Sequence, residues 1–237
     1  LAIVAPAALE NEIRGLGSVS YIESAWEFSR PIVQTSPNSP STTKMGLGDR
    51  NPIKFIGAEK VHKTKVKDKN GVEVPVVGQG MKVGIIDTGI DYTHAMLGGD
   101  GSSQTYFSID PSKKSDLFPN KKVVGGIDFV GTTYNAASPN FNLRIPVPDE
   151  NPLDEMGHGS HVAGTVAGIG DDTNTYSGVG PAAGLFALKV FGAEGSTSDP
   201  VVIAALEYAA DPNKDGNLDD QLDVVNMSLG SSFGSPN

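Results

Sequence analysis

Apolar residues along this chain fall into short solid runs separated by polar, glycine-rich stretches, and the runs alternate with segments of helical spacing. The opening LAIVAP reads as a strand. Ala7–Gly15 follows with Ala8, Leu9 and Ile13 at helical spacing, and Val19, Tyr21 and Ile22 suggest a second strand. Residues 31–52 are rich in Pro, Ser, Thr and Asn and read as a linker or exposed arm. Val83, Ile85 and Ile86 mark a strand apolar on both faces, as in a parallel sheet, with Asp87 at its carboxyl end and the turn residues Thr88 and Gly89 after it. Residues 95–155 are loop-rich, with strand candidates at Lys122–Val124 and Gly126–Val130. The stretch from His158 to Gly168 reads as a helix. Its Ala163, Ala167 and Gly164, Gly168 lie at i,i+4 spacing and form a nearly bare face that could lie close to a neighbour. LFALKVFG is a further buried strand. Pro200–Ala210 is a helix with Val202, Leu206 and Ala209 on one side, and LDVVNMSLG is another buried strand. Alternating strands and helices predict an α/β fold with a mostly parallel sheet.

Composition narrows the partners. The formal net charge of −10 argues against a nucleic-acid surface or an anionic membrane. The absence of cysteine excludes disulfides and thiolate metal sites. No apolar run is long enough to span a bilayer, and LAIVAPAAL lacks the Met and basic flank of a signal peptide. The chain is therefore expected to begin inside a longer precursor.

Candidate chemistry sits at three strand or helix ends. Asp87 ends one strand, His158 opens a helix between Gly157 and Gly159, and Asn226-Met227-Ser228-Leu229-Gly230 ends another strand. A carboxylate that accepts the proton of one imidazole nitrogen fixes the tautomer, which leaves the other nitrogen to take a proton from a nucleophile. In this order VGIIDTGID, HGSHVAGTVAG and NMSLG resemble the motifs of the subtilisin-like serine proteases.

The resemblance implies a subtilisin-like three-layer fold over residues 79–237, incomplete at its C-terminus. It implies a serine endopeptidase acting on protein or peptide substrates, with Asp87 orienting and His158 as general base and acid. Gly192, Ala193, Glu194, Gly195 and Ser196 match the segment that pairs with substrate backbone, and Ser228, Leu229 and Gly230 match the primary specificity pocket. Residues 1–30 resemble the end of an inhibitory prodomain, an intramolecular partner, with residues 31–78 as linker and arm and a maturation cut within 28–42. The family's GTSMA-type nucleophile motif and its oxyanion-hole asparagine are absent from this sequence, so the chain is expected to be the inactive amino-terminal part of a secreted enzyme. The family's usual Pro-Asp after the histidine at position 94 is replaced by Ala95 and Met96, so that calcium site does not carry over.

Asp211, Asn213, Asp215 and Gly216 follow the opening of an EF-hand-type loop, with Asn217, Asp219 and Asp220 as further oxygen donors for calcium and Leu222 in place of the closing Glu. The same residues also make an ordinary polar turn. His161, with Asp154 or Glu155, is a weaker zinc alternative, because the HExxH spacing is absent. The competing reading of the whole chain is a noncatalytic calcium-stabilised binding protein derived from the fold.

Overall fold

The computed structural model describes residues 5, 7–19, 21–22, 25, 27–29, 52–170 and 177–231. The expected strand at LAIVAP and the linker at 31–51 lie outside them, apart from Ala5. In the amino-terminal piece a 3-10 turn at Ala7–Leu9 runs into helix α1 (Glu10–Arg14). Val19, Tyr21 and Ile22 lie in no regular strand; the strand here is β1 (Glu27–Phe28). Two short helices, α2 (Pro52–Phe55) and α3 (Ala58–His62), lead to a hairpin of β2 (Lys65–Lys67) and β3 (Glu73–Pro75). Lys60, Lys63, Lys65, Lys67 and Lys69 are exposed along this stretch.

The central sheet contains β4 (Lys82–Asp87), β5 (Val123–Asp128), β6 (Gly184–Lys189) and β8 (Val224–Met227), all parallel, in the order β5-β6-β4-β8. Alternation along the strands makes two cores. Val83, Ile85, Leu185 and Ala187 pack on one face with Ala163 and Ala167 of helix α5 (His158–Ala167). Ile86, Leu188 and Leu222 pack on the other with Val201, Ala205 and Ala209 of helix α6 (Asp199–Ala210). Each fully buried Ile or Leu contributes roughly 1.5–3 kcal/mol, so these strands are fixed in register by their side chains. Helix α4 (Ser103–Ser108) and the remaining strand, β7 (Thr197–Ser198), lie outside this sheet.

Four expectations need correction. The two strand candidates at 122–130 are one strand, kinked by a register shift between Val123 and Gly125. A Cβ at Gly125 would lie 2.5 Å from the Phe186 ring, so the kink needs its glycine. Helix α6 buries Val201 and Ala205 rather than Leu206, which is exposed. Strand β8 is not buried: Val224 and Met227 are both 48% exposed, because β8 is the end strand of the sheet among the described residues. Finally, the bare face of α5 is not closely packed throughout. A Cβ at Gly164 would meet nothing within 4 Å, whereas one at Gly159 would lie 2.1 Å from the Gly89 carbonyl oxygen.

Candidate active site

The carboxyl end of β4 delivers Asp87, which is fully buried. Its Oδ1 accepts the Thr88 amide at 2.7 Å and faces His158 Nδ1 at 2.7 Å. A carboxylate can only accept, so the shared proton is assigned to Nδ1, and in the neutral ring Nε2 keeps its lone pair. Asp87 Oδ2 is buried without a partner among the described residues. Burial raises the Asp87 pKa above the ordinary carboxylate range; the hydrogen bonds from His158 and the Thr88 amide oppose this.

His158 is the first residue of α5, preceded by Gly157 at φ 90°. Gly157 has no side chain to cap the helix. That task falls to Asp154, whose Oδ1 accepts the amides of Met156 and Gly157, each at 2.9 Å, and whose Oδ2 accepts the Ser160 amide at 2.8 Å. A carboxylate is also favoured there by the helix dipole. Two further hydroxyls join the turn after β4 to α5. Thr88 Oγ1 donates to Asp154 Oδ1 at 2.8 Å and accepts the Gly159 amide at 2.8 Å. Ser160 Oγ donates to Asp154 Oδ2 at 2.7 Å and accepts the Asp91 amide at 2.8 Å.

Buried charges brace the approach to the helix. Lys189, fully buried at the end of β6, donates to Leu153 O at 2.9 Å and to Glu155 Oε2 at 3.0 Å. Asp128, the register neighbour of Lys189, has its carboxyl pushed up to about 6 by burial, against the attraction of Lys189 and the amides of Gly131 and Val130. Asp154, Thr88, Ser160 and Lys189 were not assigned to this site from sequence. An Asp four residues ahead of an apolar helical stretch was the available signal for the first of them.

His158 is buried, at 6% exposure. A cavity of about 860 Å³ lies along α5, lined by Met96, Tyr106, Phe107, His161 and Gly164 among others. His161 is exposed, and no zinc-binding cluster forms among the described residues.

The segment expected to pair with a peptide, residues 192–196, follows β6, beyond Val190, whose amide donates to Asp87 O at 2.9 Å. Gly192 and Gly195 shape the loop: a Cβ at Gly192 would lie 2.3 Å from Tyr134 O, and Gly195 has φ 95°. Ala193 N donates to Thr132 O at 2.7 Å and Ser196 O accepts the Ala136 amide at 3.0 Å, while Glu194 is exposed. Strand pairing begins one residue beyond the expected segment, at β7, where Glu27 lies opposite Ser198 and Phe28 opposite Thr197 in antiparallel fashion. Ser29 and Gly230 exchange two backbone bonds, at 2.9 and 3.0 Å. Residues 27–29 therefore run as an added strand between β7 and Gly230. Ser228 Oγ accepts Asn226 Nδ2 at 2.9 Å, and Leu229 packs against the α6-side core.

The 211–220 loop is largely self-bonded. Asp211 accepts the amides of Asp215 and Gly216, Asn213 and Asp215 accept those of Asp215 and Asn217, and Asp220 Oδ2 accepts that of Asn213. No group of three acidic or histidine side chains among the described residues converges on one point. The loop's side-chain oxygens thus mostly serve its own backbone amides, while buried Asp220 Oδ1 has no partner among the described residues. Leu222, at the place of a closing Glu, is buried beneath Gly84.

Residues 78–237 match the subtilase family. Subtilisin DY of Bacillus licheniformis is 35% identical over 159 residues, covering 67% of this chain and 40% of that protein. Minor extracellular protease Vpr of Bacillus subtilis strain 168 is 36% identical over 160 residues, covering 67% of this chain and 15% of that protein. A thermostable alkaline protease of Halalkalibacterium halodurans is 27% identical over 183 residues, or 77% of this chain and 34% of that protein. The chain thus spans less than half the length of each of these relatives.

Proposed function

This chain belongs to the subtilase family, and from that premise we propose that it contributes the Asp-His part of a serine endopeptidase that hydrolyses peptide bonds in proteins. The observation that carries the reading is the 2.7 Å contact between His158 Nδ1 and a fully buried Asp87. Nε2 takes the proton of a serine hydroxyl as its oxygen bonds to the peptide carbonyl carbon. The imidazolium, held by Asp87, then gives that proton to the leaving amine, and water repeats the sequence on the acyl-enzyme. The serine is not among the matched motifs of residues 1–237.

In this reading residues 1–30 are the prodomain end, 31–78 an arm, and 79–237 part of the peptidase domain. The pairing of Glu27–Ser29 with β7 and Gly230 supports it, because an extended segment of the chain itself lies where a substrate backbone would pair. Loop 192–196 and residues 228–230 then border the substrate. Secretion belongs to the proposal and rests on the extracellular relative; no described helix is long and apolar enough to cross a membrane. The noncatalytic alternative is not favoured, since the relatives named above are proteases.

The full-length protein is expected to react with a fluorophosphonate probe at a serine, and to lose labelling in His158→Ala. Absence of labelling in the unmodified full-length protein would end the peptidase reading. The proposal includes calcium as a structural ion at the 211–220 loop, where Asp211, Asn213, Asp215, Asn217, Asp219 and Asp220 would supply oxygen donors. A rise in Tm of the chain with excess calcium over chelator, lost in Asp211→Ala, is its expected sign; equal Tm values would remove the ion.

A further inference from the structure

We infer that Asp154 is a positioning residue that sets the His158–Asp87 contact by fixing the direction of two crossed hydroxyl bridges. The inference rests on the proposed peptidase reading for the use of that contact. Asp87 and Thr88 are neighbours at the end of β4, and His158 and Gly159 are neighbours at the start of α5. The two elements are joined at 88 and 159 as well as at 87 and 158. Thr88 Oγ1, on the strand side, accepts the Gly159 amide of the helix; Ser160 Oγ, on the helix side, accepts the Asp91 amide of the turn. Each hydroxyl therefore takes a backbone proton from the opposite element.

A hydroxyl has one proton to give. Both give it to Asp154, Thr88 to Oδ1 at 2.8 Å and Ser160 to Oδ2 at 2.7 Å. An ionised carboxylate is acceptor-only, so it imposes donor polarity on both hydroxyls and leaves their lone pairs to the amides. Asp154 is 2% exposed, so water does not readily substitute for it. Its remaining capacity goes to the amides of Met156, Gly157 and Ser160, which fixes the first turn carrying His158. An ordinary N-cap would satisfy those amides without touching the strand. The bridges to 88 and 91 are what tie the histidine to its aspartate.

The test uses the 237-residue chain and the side-chain nitrogen–proton NMR spectrum of His158, where a short Nδ1–H···Oδ1 bond gives a far-downfield proton resonance. Thr88→Val keeps size and charge but removes the hydroxyl; Thr88→Ser restores it. Thr88→Val is expected to lose the resonance or shift it strongly upfield, and Thr88→Ser to keep it. Asp154→Asn is expected to lose it as well, because its amide nitrogen cannot accept from Ser160. If Thr88→Val and folded Asp154→Asn retain the resonance while only Tm falls, Asp154 is a helix cap and the inference is overturned. A resonance missing from the unmodified chain also overturns it. Should Asp154→Asn not fold, the Thr88 pair decides. Fluorophosphonate labelling of the full-length protein tests the peptidase reading separately, so either idea can fail without the other.

Discussion

In the full-length protein, His158→Ala is expected to lower kcat by on the order of 10⁴-fold with little change in KM. Among the described residues the His158 imidazole is the group beside Asp87 suited to move a proton between nucleophile and leaving group, and such transfer contributes roughly 10²–10⁴-fold. The upper end is expected here because Asp87 and His158 act as one unit. Asp87 is fully buried and its Oδ1 is shared between His158 Nδ1 and the Thr88 amide. Removing the ring leaves that buried carboxylate without its principal partner. In the proposed reading a peptide makes its ground-state contacts elsewhere, where Glu27–Ser29 now pair with β7 and Gly230, so KM is expected to hold. Steady-state kinetics on a chromogenic peptide decide the matter: turnover within a few-fold of the unmodified protein would remove His158 from the chemistry.

Much of the fold is legible because parallel strands buried on both faces read as solid apolar runs. Val83–Ile86 and Leu185–Leu188 could be placed from sequence for that reason, and Asp87 followed as the polar residue at a strand end. The start of α5 was legible from its small-residue run. What failed depended on partners distant in sequence. Glu27–Phe28 is a strand only because it pairs with β7, some 170 positions on, and two residues carry no periodicity. Val224 and Met227 have strand composition, but their exposure is set by sheet order. Leu222 reads as a defective calcium ligand until its place beneath Gly84 is seen. Asp154 reads from sequence only as part of the weaker zinc alternative, and only the crossing of Thr88 and Ser160 shows its use.

Two glycines five positions apart in α5 are expected to respond to alanine with opposite signs. At Gly159 an added Cβ would lie 2.1 Å from Gly89 O, 3.1 Å from Thr88 Oγ1 and 3.2 Å from Asp87 Oδ1. The first of these is backbone and cannot swing aside. Gly89 itself is held, since its own Cβ would lie 2.5 Å from Pro152 O. The helix start must therefore lift from the turn after β4, which lengthens the Gly159–Thr88 bridge and the His158–Asp87 contact together. Gly159→Ala should cost about 3 kcal/mol, the upper range for overpacking, and abolish the downfield His158 proton. At Gly164 nothing lies within 4 Å, and the backbone is already helical. Gly164→Ala should stabilise the chain by roughly 0.5–1 kcal/mol, the helix-propensity difference, a Tm rise of about 2–4 °C per kcal/mol. Thermal and urea unfolding of the two variants measure both. A Gly159→Ala chain as stable as the parent would mean that α5 does not sit against the Asp87 turn as described. The same helix thus has one glycine required by the approach of His158 to Asp87 and one that this close approach does not require.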